Sequence, residues 1–173
     1  MYLALTGRRL AGAAVLGVCA LLASTLFLAA CDRGAHPGRI GDAAPEFQVS
    51  DGTRSVDLKS LRGHVVLLNF WQTSCVPCVE ELPSLERLQR VLPQVTVVAI
   101  SNDEDAAAYQ SFLRTYHVSL FTVRDPSSRI PTLYGTVKVP ETYVIDRQGM
   151  VRRKFVSAQE WTSPEIVDYL KKL

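Results

Sequence analysis

The sequence predicts an α/β domain with a mixed central β-sheet flanked by helices and an N-terminal β-hairpin extension. Two patterns carry this. From residue 65 onward, short unbroken apolar runs alternate with segments of helical period, the order that joins parallel strands by helical crossovers. Nearer the C-terminus, two apolar runs flank Asp146-Arg147-Gln148-Gly149, which reads as an antiparallel hairpin and makes the sheet mixed.

The elements follow in order. Phe47-Gln48-Val49 and Val56-Asp57-Leu58 flank the turn Ser50-Asp51-Gly52 and form the leading hairpin. Residues 65–70 are apolar without alternation apart from Asn69, as expected of a central strand buried on both faces. After a loop at 71–74, Leu82, Leu85, Leu88 and Val91 or Leu92 recur at helical spacing, predicting a helix over 75–92 that ends before Pro93 and kinks at Pro83. Residues 95–100 and 118–123 read as strands around a helix at 103–116, with Asn102 or Asp103 as its cap. A short broken helix at 127–134 and strands at 141–145 and 150–156 complete the sheet. Ser163 is the candidate cap of a final helix with Pro164 in its first turn.

Charge excludes one class of function. Arg8 and Arg9 account for the whole net charge of +2, because the remaining 17 basic residues balance all 17 acidic ones. A formally neutral domain lacks the attraction on which nucleic-acid binders depend.

The N-terminal segment points to export of the chain that follows it. Arg8 and Arg9 precede an uncharged run over residues 10–30, and under the positive-inside rule the chain beyond it is exported. As a helix this run is about 32 Å long, enough to span a bilayer core of about 30 Å. Leu28-Ala29-Ala30-Cys31 resembles a bacterial lipobox, which would make Cys31 the acylated first residue of the mature protein. An uncleaved anchor is the other reading. Asp32 resembles the inner-membrane retention signal of enterobacterial lipoproteins. The expected organisation is residues 1–30 as lipoprotein signal peptide or anchor, 31–40 as tether, and 41–173 as the folded domain; ten tether residues reach at most ~35 Å.

Chemistry concentrates in Cys75-Val76-Pro77-Cys78, at the junction of a loop and a helix. A helix start stabilises an anion and so lowers a thiol pKa. Cys75 is therefore the candidate nucleophile, and Cys78, three residues on and on the same face, the resolving thiol. Zinc would need two more ligands, and His36, His64 and His117 are scattered. Haem attachment would need His at position 79, which is Val. A purely structural disulfide would close a loop too small to constrain the unfolded chain much.

The stretch from Asn69 through Cys75 and Cys78 to Pro83 resembles the active-site segment of TlpA/ResA-like, membrane-tethered thioredoxins. Val139-Pro140-Glu141-Thr142-Tyr143-Val144-Ile145-Asp146 is similar to a second block of that group, including the CcmG/DsbE cytochrome c maturation reductases. Gly41-Asp42-Ala43-Ala44-Pro45-Glu46-Phe47 and Trp161-Thr162-Ser163-Pro164-Glu165 match the family's opening and ending, so the resemblance runs over residues 41–173.

The resemblance implies a thioredoxin fold and a thiol-disulfide oxidoreductase acting as a monomer. The redox-active disulfide would be Cys75–Cys78. Pro140 would be cis, with the Val139 backbone pairing with substrate, and Trp71 would contact substrate or fill the core. Glu81 would assist proton transfer; a solvated helix glutamate is the alternative. No metal, flavin or nucleotide cofactor is required. Implied partners are exported disulfide-containing proteins such as apocytochrome c, an inner-membrane thiol electron donor, and the membrane itself. The alternatives are a disulfide-forming oxidant, a peroxiredoxin-type peroxidase and a copper(I)-binding thiol protein. Three departures stand out: Ser74 where many relatives have Trp, Asn69 where cytosolic thioredoxins have a buried Asp, and Pro131 within a segment relatives run as helix.

Lipidation is directly testable. Mass spectrometry of the membrane fraction is expected to find a mature chain that starts at acylated Cys31. An unmodified Cys31 within an intact N-terminus would refute lipidation and leave export standing.

Overall fold

The computed structural model describes residues 40–173. The signal peptide or anchor, Cys31 and the tether up to residue 39 lie outside the described residues. Among the described residues, no helix is long and apolar enough to cross a membrane.

The elements are β1 Gln48–Ser50, β2 Ser55–Asp57, a 3₁₀ turn Leu58–Leu61, β3 Val65–Trp71, α1 Val76–Val91, β4 Val95–Ser101, α2 Ala106–Thr115, β5 Thr122–Arg124, α3 Arg129–Leu133, β6 Glu141–Ile145, β7 Val151–Val156 and α4 Pro164–Leu170. A five-stranded sheet has the order β5-β4-β3-β6-β7, and β1 and β2 form a separate antiparallel pair. β3 and β4 run parallel in register from Val65↔Val95 to Trp71↔Ser101, whereas β6 lies antiparallel on the other side of β3.

All seven side chains of β3 are buried. Their alternation divides the interior into two layers. Val65, Leu67 and Trp71 share one with α1 (Leu82, Leu85, Leu88), α2 (Tyr109) and α4 (Ile166, Leu170). Val66, Leu68 and Phe70 share the other with Ile130 of α3, Tyr134 and the leading segment (Ala44, Phe47, Leu58). That leading segment touches both sheet edges. Gly41 N–H donates to Val151 O at 2.7 Å, while Arg54 Nη1 donates to Leu120 O at 3.1 Å and Asp51 Oδ2 accepts from Arg124 N–H at 3.1 Å.

Three local expectations are corrected. α2 is capped by Asp105, whose Oδ1 accepts from the N–H groups of Ala107 and Ala108 at 2.8 and 3.0 Å, not by Asn102 or Asp103, because the Asp103 carboxylate is turned toward Thr73 and Ser101. The strand expected at 118–123 is confined to β5, since Val118 N–H returns to Leu113 O and Ser119 N–H is taken by Glu86 Oε1. Pro131 does not break α3: it is the third residue of the helix, in the first turn where an N–H has no intrahelical acceptor. Ser163 stands at the cap position of α4, but its side chain makes no capping hydrogen bond.

Removing the Asp105 cap leaves two helix-start donors unpaired. Asp105→Ala is expected to lower the free energy of unfolding by about 1 kcal/mol in urea denaturation.

Candidate active site

Cys75 is the N-cap residue of α1, and Val76 and Pro77 fill the first turn. Proline suits that place because its missing N–H would have had no helical acceptor. Cys75 and Cys78 are joined by a disulfide with Cα atoms 5.2 Å apart, and Cys78 N–H donates to Cys75 Sγ at 3.3 Å. Cys78, in the first turn of α1, is fully buried, whereas Cys75 is only partly buried. An incoming sulfur atom can therefore reach Cys75 and not its partner.

Facing the pair is the segment that leads into β6. The Val139–Pro140 peptide is cis, Pro140 is buried, and Val139 O lies 3.7 Å from Cys75 Sγ. Among the described residues, neither the N–H nor the C=O of Val139 pairs with another backbone group. An open peptide edge thus lies beside the sulfur. Between the two walls runs a groove of about 380 Å³, with Gln72, Ser74, Asn102 and residues 136–139 around Cys75. A larger groove of about 670 Å³ lies between the leading hairpin and β4. It holds no thiol, and its carboxylate, Asp57, is engaged by Lys59 N–H and Gln48 Nε2.

The loop before Cys75 is clamped from β4. Asp103 Oδ1 accepts from Thr73 Oγ1 at 2.6 Å, Asp103 Oδ2 accepts from Thr73 N–H at 3.1 Å and from Ser101 Oγ at 2.6 Å, and Asn102 N–H donates to Trp71 O at 3.1 Å. Sequence reasoning missed this anchor, which involves residues thirty positions apart.

Glu81 is not a solvated helix residue. It is 3% exposed; its Oε1 accepts from Asn69 Nδ2 at 2.8 Å and its Oε2 from Gln159 N–H at 3.1 Å and Trp161 Nε1 at 3.2 Å. Burial pushes its pKa up, against these three donors, which pull it down. Asn69 Nδ2 also donates to Thr142 Oγ1 at 2.9 Å, so this buried amide ties α1 to the residue two past Pro140. The signal was present in the sequence as one polar residue within an apolar strand, since a buried polar group needs partners.

Of the two roles open to Trp71, substrate contact and core filling, it takes the second. It is 0% exposed, its indole N–H donates to Thr122 Oγ1 at 3.1 Å, and its ring packs on Tyr109 and Phe112. Its surface belongs to the core and not to the groove. Ser74, by contrast, is exposed and lines the groove. Among the described residues, no three His, Cys, Asp or Glu side chains gather as a metal-holding group.

A redox-capable cysteine pair at the head of the first long helix, with an open backbone edge across from it, defines a thiol-disulfide oxidoreductase of thioredoxin fold. The chain belongs to the AhpC/TSA family, whose model matches residues 40–154. It is 32% identical over 137 residues to the thiol-disulfide oxidoreductase ResA of Bacillus thuringiensis subsp. konkukian, covering 78% of each chain. It is 33% identical over 138 residues to ResA of Bacillus anthracis, covering 78% of this chain and 79% of that one. A crystal structure from Chlorobium tepidum, described as a thiol:disulfide interchange protein DsbE, superposes with a TM-score of 0.68 at 29% identity, over 78% of this chain and 94% of the other.

The raised Glu81 pKa makes stability depend on pH with a definite sign. A carboxyl held above its ordinary 4.5 keeps its proton longer in the folded chain than in the unfolded one. Stability therefore falls as pH rises from that value through the folded pKa. Urea unfolding across that interval is expected to show this slope in the wild type and a flatter one in Glu81→Gln.

Proposed function

We propose that the protein is a reductase of disulfides in exported proteins, with Cys75 as nucleophile and Cys78 as resolving thiol. The observation that carries this reading is the unequal burial of the two sulfurs: Cys75 borders the groove and Cys78 is sealed behind it. In the first step the Cys75 thiolate attacks one sulfur of the substrate disulfide, a mixed disulfide forms, and the second substrate sulfur leaves as a thiolate. Cys78 then attacks Cys75 Sγ, releasing the other substrate sulfur and leaving the Cys75–Cys78 disulfide. Two electrons have passed to the substrate, and an inner-membrane thiol donor restores the dithiol. The helix start favours the Cys75 thiolate.

In this reading, the Val139 peptide edge holds the substrate backbone, and Glu81, one helical turn past Cys78, exchanges a proton with the resolving thiol; a buried carboxyl with a raised pKa is suited to that role. The electron flow is outward to substrate, and apocytochrome c is the favoured substrate, because the Pro140 block resembles that of cytochrome c maturation reductases. The site of action is the outer face of the cytoplasmic membrane, with the domain held by a lipid on Cys31 or by residues 10–30.

Equilibration of the full chain with glutathione or dithiothreitol tests direction. A reductase is expected near thioredoxin at about −270 mV, and a value near about −120 mV would make the protein an oxidant. Cys75→Ser is expected to abolish disulfide reduction, and Cys78→Ser to accumulate a mixed disulfide whose partner can be identified. Hydrogen peroxide consumption lost in Cys75→Ser would favour a peroxidase instead.

A further inference from the structure

Six large apolar side chains stand exposed among the described residues, and two of them adjoin the dithiol: Val76 at 67% and Val137 at 93%. Single exposed aliphatics are common on protein surfaces, but Val137 differs in being the most exposed of the six and in lining the groove that holds Cys75. Its loop is fixed at both ends. Thr136 N–H donates to Pro131 O at 2.9 Å, and Pro140 O accepts from Ser157 N–H at 3.0 Å. Gly135, at φ 65°, supplies the turn that sends the loop outward. A valine is thus held out in water two residues before the open Val139 peptide group. Within the groove the apolar side chains, Val137 and Val139, both come from the loop before Pro140, while Gln72, Ser74 and Asn102 are polar; Val76 stands exposed next to Cys75, outside that lining.

We propose that Val137, with Val76, forms an apolar clamp beside Cys75 that selects partner polypeptides carrying a bulky apolar side chain next to their reactive cysteine. The proposal rests on the thiol-exchange reading above. The partner segment lies extended along the Val139 edge, and the side chain adjoining its cysteine covers Val137. Ser74 offers no large ring for such contact, so the valines supply the apolar area that this exposed position lacks.

The test uses the full chain in detergent, carrying Cys78→Ser and reduced beforehand. Its substrates are short peptides whose single cysteine is activated as an aryl disulfide and flanked on one side or the other by leucine, or on both sides by serine. Cys75 attacks the peptide sulfur, the Cys75–peptide bond forms, the sulfur–aryl-thiol bond breaks, and the aryl thiolate leaves with the electron pair. Its release gives the rate. One leucine-flanked peptide is expected to react about fivefold to tenfold faster than the serine-flanked one, the size expected when part of an aliphatic side chain leaves water. Val137→Ser should reduce that preference to about twofold, and Val137→Leu should retain it. Equal rates for all peptides, or an undiminished preference in Val137→Ser, overturn the clamp. Absence of aryl thiolate release from every peptide is a different result, which overturns the thiol-exchange reading itself.

Discussion

Everything at the dithiol depends on the burial of β3 on both faces. With all seven side chains enclosed, the strand has no freedom to slip, because a one-residue shift would exchange the contents of the two core layers. Its C-terminal end is therefore a fixed point. The parallel neighbour β4 ends there too, with Trp71 opposite Ser101, and so delivers Asp103 to the loop before Cys75. The antiparallel neighbour β6 begins there, with Phe70 opposite Glu141, and so delivers Val139 and Pro140. A wholly parallel sheet would send the start of β6 to the opposite end. The mixed sheet is what brings the cysteines and the open peptide edge together.

A second constraint is the buried carboxylate of Glu81. Burying a charge without partners is costly, and removing one partner leaves the others uncompensated. Glu81 meets this with donors from three places: β3 through Asn69, the backbone at Gln159, and Trp161 ahead of α4. The group linked to redox chemistry by resemblance is thus also a joint between α1, the central strand and the C-terminal segment. Asn69 fits this role better than a carboxylate would, since its amide donates to Glu81 and Thr142 at once, whereas Asp there would set two negative groups against each other.

The leading segment protects the sheet. β5 and β7 are its edges, and unpaired edge backbone invites pairing with other chains. Residues before β1 pair with the start of β7, and the β1–β2 hairpin reaches β5 through Asp51 and Arg54. Two long parallel strands, β3 and β4, remain inside.

The class of fold, the order of its elements and the cysteine pair were legible in the sequence, because they rest on local quantities: apolar period, turn residues and the spacing of two thiols. The cis Val139–Pro140 peptide was implied by resemblance and is present in the structure; no local rule would have chosen it. What local patterns missed depends on distant partners. Asp103 and Asp105 are equally good caps by type, and only the proximity of Thr73 diverts the first. Trp71 looked equally suited to core and surface until Thr122, Tyr109 and Phe112 enclosed it. The sequence by itself determined which atoms can do chemistry and the strand–helix order that presents them. Tertiary structure alone decided which sulfur is accessible and that Glu81 is buried among donors from far along the chain. Exposure and burial belong to surfaces that exist only once the sheet has brought those segments together.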